Sequence, residues 1–207
     1  MTTVPSDQGV AAPHVSAGPL ATPWGTLTWG QVRDLALPGA LIGVLGGIVA
    51  GGLVAIIGQS PAVVLVACVS LAIPLAIGGA AYDLLLATGR APLGMLAPAA
   101  LLWAVAFPPA RLIEAAAVDV VAGDQVAVPH GWLSFAVYQV LVAVPFAIGF
   151  WWLHENFAPR WWFHIRERNP VANHFVREKL EYAAAAEAEN ERRRQRKRGQ
   201  RKRSRKR

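Results

Sequence analysis

Between Leu35 and Ile57 the chain reads LALPGALIGVLGGIVAGGLVAII, 23 residues without a charged side chain. About 20 apolar residues in a helix cross the ~30 Å hydrocarbon core of a bilayer, so this stretch predicts a transmembrane helix. Within it Gly39, Gly43, Gly47 and Gly51 recur every fourth residue, with Ala36 and Ala40 beside them. One face of the helix therefore carries almost no side chain. Lipid tails are as apolar as leucine, so helices in a membrane gain contact mainly where small residues let two backbones approach. The stripe predicts a helix packed against it: helix 2, helix 4 or one from another protein.

Three further apolar runs follow. Pro61 to Leu86 contains Pro74, which should kink it. About residues 92–113 form a third span with Pro98 and the pair Pro108-Pro109, tolerable in a membrane where neighbours satisfy the freed carbonyls. The fourth, about residues 132–153, holds Pro145 and ends at Trp151-Trp152-Leu153. The expected spans are thus about 35–57, 61–86, 92–113 and 132–153, within a bundle covering residues 34–155. The expected fold class is an all-α membrane protein with four transmembrane helices and a cytoplasmic C-terminal amphipathic helix.

Charge is segregated along this chain. Seventeen of the 20 Lys and Arg lie from Arg160 onward, and 12 of them lie in residues 192–207 with no acid among them. Residues 1–191 hold 8 bases against 13 acids, so the pI near 10.3 belongs to the tail. Four crossings put both termini on one side, with Arg90 and the C-terminal bases. The loop carrying Asp119 and Asp124 falls on the other side, and the positive-inside rule then places both termini in the cytoplasm. Richness in Gly, Ala, Val and Pro, with Arg far above Lys, points to a high-GC bacterial genome and hence to a bacterial plasma membrane.

Residues 1–33 mix Pro, Gly, Ser and Thr without a sustained period and read as a flexible arm. The first apolar run begins late and is too long for a signal-peptide core, so no cleavage is expected. Trp24 and Trp29 suit an aromatic anchor at the membrane interface. In residues 156–169, Trp161, Trp162 and Phe163 alternate with bases and suggest an interfacial segment, rings inward and bases toward phosphate, with Arg160, Trp161, Trp162, Arg166 and Arg168 as the contacts to lipid or a partner. Asn169-Pro170 is a helix start, and Val171, Phe175 and Leu180 fall on one face of a cytoplasmic helix over residues 170–191. Residues 192–207 form a like-charge run expected to be disordered.

Ionisable groups near the spans are few: Asp83, Arg111 and Glu114, each near a helix end. Arg111 and Glu114 are spaced i, i+3 and would share a face, either as an interfacial structural pair or as a contact for lipid or a partner. The five histidines do not sit at matching depths on facing helices, as a membrane haem would want. His130 precedes helix 4, His154 ends it, and His14, His164 and His174 lie outside. Ser60, Ser70 and Ser134 stand in no nucleophile motif, no phosphate loop is present, and the single Cys68 offers no disulfide. No catalytic residue, metal or cofactor is expected. The basic tail admits anionic lipid, an acidic protein surface, or nucleic acid including ribosomal RNA.

The Ala- and Pro-rich composition, four compact spans over about residues 30–190 and charged cytoplasmic end give the chain a layout similar to small accessory membrane subunits of high-GC Gram-positive bacteria. Among these it resembles the actinobacterial association factor of the respiratory supercomplex of cytochrome bcc and cytochrome c oxidase. The likeness is one of layout and transfers no residue role. It implies a structural subunit of an electron-transfer assembly, partnered by other membrane-protein subunits, that carries no electrons itself. A membrane tether acting through the basic tail and a small transporter gated by the proline-broken helix 3 are the other readings the residues allow.

Overall fold

The computed structural model describes residues 20–126 and 131–204, with side chains as far as Gln195. Expectations for residues 1–19, His14, His130 and 205–207 lie outside the described residues. A short hairpin, β1 (Leu20–Thr22) and β2 (Gly25–Leu27), precedes five helices: α1 (Trp29–Ile56), α2 (Pro61–Ala87), α3 (Leu96–Ala122), α4 (Trp132–Ile165) and α5 (Pro170–Ser204). The first four helices are long and apolar enough to cross a membrane. The chain is therefore an all-α, multi-pass membrane protein. Successive spans alternate in direction, so the hairpin, the α2–α3 connection, the end of α4 and the start of α5 gather on one side, hereafter the terminal side.

Local chemistry sets the helix limits, and several differ from the apolar runs. α1 begins at Trp29 because Thr28 forms a capping box: its hydroxyl accepts from the Gln31 amide, and the Gln31 carboxamide oxygen accepts from the Thr28 amide at 2.9 Å. Ser60 caps α2, with Pro61 at its first position. α3 starts later than expected, after Gly94 in the left-handed region (φ 77°), and runs on to Ala122. Ala115, Ala116 and Ala117 favour helix, and Gly123 (φ 81°) then closes it. α4 is 34 residues, about 51 Å at ~1.5 Å per residue, against a ~30 Å hydrocarbon core. Its last three turns lie on the terminal side and absorb most of what reads as a separate interfacial segment.

Three further expectations change. The end of the presumed flexible arm is the hairpin, in antiparallel register with Leu20 opposite Leu27 and Thr22 opposite Gly25. Leu27 is buried in the core, which gives the turn something to fold against. Helix α5 continues through the basic run to Ser204, where disorder is expected. Its apolar face is short: Val171, Ala172, Phe175 and Val176 are buried, whereas Leu180 is 59% exposed. The core runs from Leu71 and Leu75 through Trp103, Phe107, Phe150 and Trp162 to Phe175, one continuous cluster from the membrane into the terminal side.

Candidate functional site

The glycine stripe of α1 lies on α2. A Cβ on Gly39 would meet the Gly79 carbonyl, one on Gly43 the Leu75 carbonyl, one on Gly47 the backbone of Ala72 and one on Gly51 that of Cys68, each too close to be accommodated. Gly79 is equally crowded by the Gly39 carbonyl, so at this crossing glycine faces glycine. The positions facing α1 along α2, Cys68, Ala72, Leu75 and Gly79, step by three or four residues. The next step of four is Asp83.

Asp83 is 1% exposed and joins three helices. One carboxylate oxygen accepts from the Gly39 amide of α1 at 2.7 Å, and the other lies 2.7 Å from Nε2 of His154 on α4. His154 is itself fully buried, beneath Tyr82 (edge-on, centroids 5.0 Å), Phe150 (stacked, 5.8 Å) and Trp162 (5.6 Å). A contact of this length needs one proton between Nε2 and the Asp83 oxygen. Nδ1 of His154 has no hydrogen-bond partner among the described residues. The pair thus lacks the hydroxyl or thiol that a Ser-His-Asp relay places on the second nitrogen. The junction ties α1, α2 and α4 together at one depth, since Asp83 at the end of the glycine seam cannot slide without losing both hydrogen bonds.

Sequence reasoning placed Asp83 near a helix end and His154 at the end of a span, and did not connect them. The structure corrects this: with α4 extended to Ile165, His154 lies eleven residues inside the helix and at the level of Asp83. The four-residue continuation from Gly79 was the available signal for Asp83. Nothing local signals its partner, 71 residues away.

On the terminal side the connections multiply. Pro38 has no N–H to return to the Asp34 carbonyl four residues back, and the Trp161 indole N–H donates to that carbonyl at 2.6 Å. Arg168 pairs with the Asp34 carboxylate at 3.2 Å, the Gln31 side chain donates to the Arg168 carbonyl at 2.7 Å, and the Asn169 amide donates to the Gln31 carbonyl at 3.0 Å. The Asn169 oxygen meanwhile accepts from the amides of Val171 and Ala172, capping α5. Trp24, at the hairpin turn, stacks on His174 at 4.3 Å and meets Phe175 edge-on at 5.6 Å. It therefore clamps α5, where a lipid anchor was expected. Trp29 is exposed.

Of the five residues expected to meet lipid or a partner, Trp162 belongs to the core at 1% exposure, in contact with His154 and Phe175. The helical period turns it inward, since it is eight residues after His154 on the same face. Trp161 is half-buried on Asp34, Arg168 is in the ion pair, and Arg166 lies 3.8 Å above the Phe163 ring. Arg160 is exposed. Lys179 of α5 pairs with Glu155 of α4, a second tie between these helices.

Arg111 and Glu114 form an ion pair at 2.8 Å within α3, with Glu114 buried and Arg111 partly exposed. Among the described residues no three His, Cys, Asp or Glu side chains converge as a metal site would require. Comparison with protein-family models, curated proteins and solved structures gives no match to this chain.

Proposed function

We propose that this chain is a non-catalytic accessory subunit of a larger membrane complex in a bacterial plasma membrane, with both termini cytoplasmic, and that the complex belongs to respiratory electron transfer. The observation that carries the reading is helix α5. Its first two turns are anchored by the Asn169 cap, the Trp24 clamp and the buried Val171 and Phe175. From Leu180 to Gln195 every residue is exposed. A helix polar on all sides bridges to something else or relies on its own ion pairs. α5 has such a pair in Arg193–Glu189 (2.6 Å), and it projects 25 residues beyond its last anchored turn, about 37 Å at ~1.5 Å per residue. A rigid foot with a charged arm suits a subunit that holds neighbours together.

The respiratory assignment follows the layout resemblance, and cytoplasmic termini follow the charge rule. The test is gentle detergent extraction of native membranes and pull-down on an N-terminal tag. Haem absorbance with oxidase and bcc subunits in the eluate is the expected result; their absence refutes the respiratory assignment.

A second reading has its own support in the 12 bases of residues 192–207, unbroken by any acid. These bind phosphate without specifying its source, so the tail can tether ribosomes or nucleic acid to the membrane. Removing residues 192–207 separates the two. RNA co-purification disappears if the tail is a tether, whereas an assembly made through the spans persists.

A further inference from the structure

The glycine seam has a consequence on the opposite side of α1. With its small face committed to α2, α1 turns Leu37, Leu41 and Leu45 toward α4, which answers with Leu153, Phe157 and Trp161. These two stripes do not close. They leave an open groove of about 300 Å³, with Pro38 and Ile42 at its floor, lined almost wholly by carbon. Each wall spans nine residues, ~12 Å at ~1.5 Å per residue step, most of one leaflet of the ~30 Å hydrocarbon core. Because α1 and α4 are antiparallel, both walls end together on the terminal side, at Leu37 and Trp161.

That end is basic. Arg33 is exposed, one helical turn before Leu37 on the same face, and has no ion-pair partner among the described residues. Its neighbour Asp34 is already neutralised by Arg168. On the other wall His164 follows Trp161 by one turn, with the two rings 5.9 Å apart. The Trp161 indole is held on Asp34, so its ring is a fixed wall.

We propose that the groove between α1 and α4 binds one acyl chain of an anionic phospholipid in the leaflet on the terminal side, with the phosphate at Arg33. The groove holds most of one leaflet's depth of acyl chain, its apolar lining suits that chain, and an unpaired guanidinium past its terminal-side end suits the phosphate. This site is independent of the assembly proposed above.

The test uses the full-length protein in nanodiscs of phosphatidylglycerol and phosphatidylcholine in equal amounts, released into the mass spectrometer to count retained lipids. Wild type is expected to keep one phosphatidylglycerol per chain. Leu41→Trp fills the groove and should abolish retention, as should the smaller change Leu45→Phe in part, should the first variant melt early. Leu101→Trp, on the exposed face of α3, should leave it unchanged. Arg33→Gln should lower the preference for phosphatidylglycerol about fivefold, the equivalent of the ~1 kcal/mol attraction of one base near an anionic leaflet. Equal losses at Leu41 and Leu101 would mean annular lipid only and overturn the proposal. So would retention of both lipids in equal amounts, no retained lipid, or photocrosslinking of another protein at position 41 in native membranes.

Discussion

The Asp83 junction makes a quantitative prediction. Asp83→Leu keeps the branched shape in a larger side chain and leaves the buried Gly39 amide without its acceptor and His154 Nε2 without its partner. An orphaned buried donor costs about 1–3 kcal/mol, and removing one member of a buried pair about 3–5 kcal/mol. The two figures describe the same loss, so the expected destabilisation is about 3–5 kcal/mol. At ~2–4 °C per kcal/mol for a chain of this size, melting in detergent should fall by about 6–20 °C. Asp83→Asn should fall by less, because its carboxamide oxygen still accepts one of the two bonds. The sharper test adds His154→Phe. Tyr82, Phe150 and Trp162 already enclose the imidazole, so a phenyl ring fits the same shell, and an apolar replacement of a buried pair is often neutral. The double variant should recover most of the loss, giving a coupling of more than ~1 kcal/mol in the cycle. A melting point for Asp83→Leu within about 1 °C of wild type, or additivity within ~0.5 kcal/mol, would refute the junction as a structural tie.

Gly47→Leu should separate α1 from α2 and lower melting markedly, because its side chain would enter the Ala72 backbone, whereas Gly52→Leu, with open space before it, should change stability by no more than ~0.5 kcal/mol. Equal behaviour of the two variants would show that the seam does not depend on close approach. Trp24→Ala removes the stack on His174 and the edge contact with Phe175. At ~0.5–1.5 kcal/mol per aromatic pair the two contacts are worth ~1–3 kcal/mol, and amides of residues 171–176 should exchange about 5- to 160-fold faster, read by hydrogen exchange. Arg111→Ala leaves Glu114 without its cation and should destabilise by about 1–3 kcal/mol in thermal unfolding, because the pair is partly open to its surroundings. Arg111→Ala with Glu114→Leu should recover part of that loss.

The membrane-spanning parts were legible because the bilayer imposes one rule that a single chain must satisfy locally: about 20 apolar residues per crossing. That rule locates α1 to α4 from Leu35, Pro61, the third run and Trp132. It says nothing of where each helix ends, because a helix continues into water wherever caps and propensity allow. Thr28 therefore started α1 early, and Trp162 and Ile165 stayed on α4. The stripe Gly39–Gly51 announced a close contact, since absent side chains are a local property. Its partner, α2, was decided by the fold.

The least legible features join distant residues. Asp83 and His154 look like two isolated polar groups until α2 and α4 are set side by side at one depth. Trp24, Asp34 and Trp161 look like interfacial residues until Pro38 frees a carbonyl and the hairpin folds over α5. The sequence by itself determined four crossings, the small face of α1 and the separation of charge, all set by hydropathy and side-chain size. Which faces meet, at what depth, and which polar groups then satisfy one another depended on packing every helix at once, and only the tertiary structure decided it.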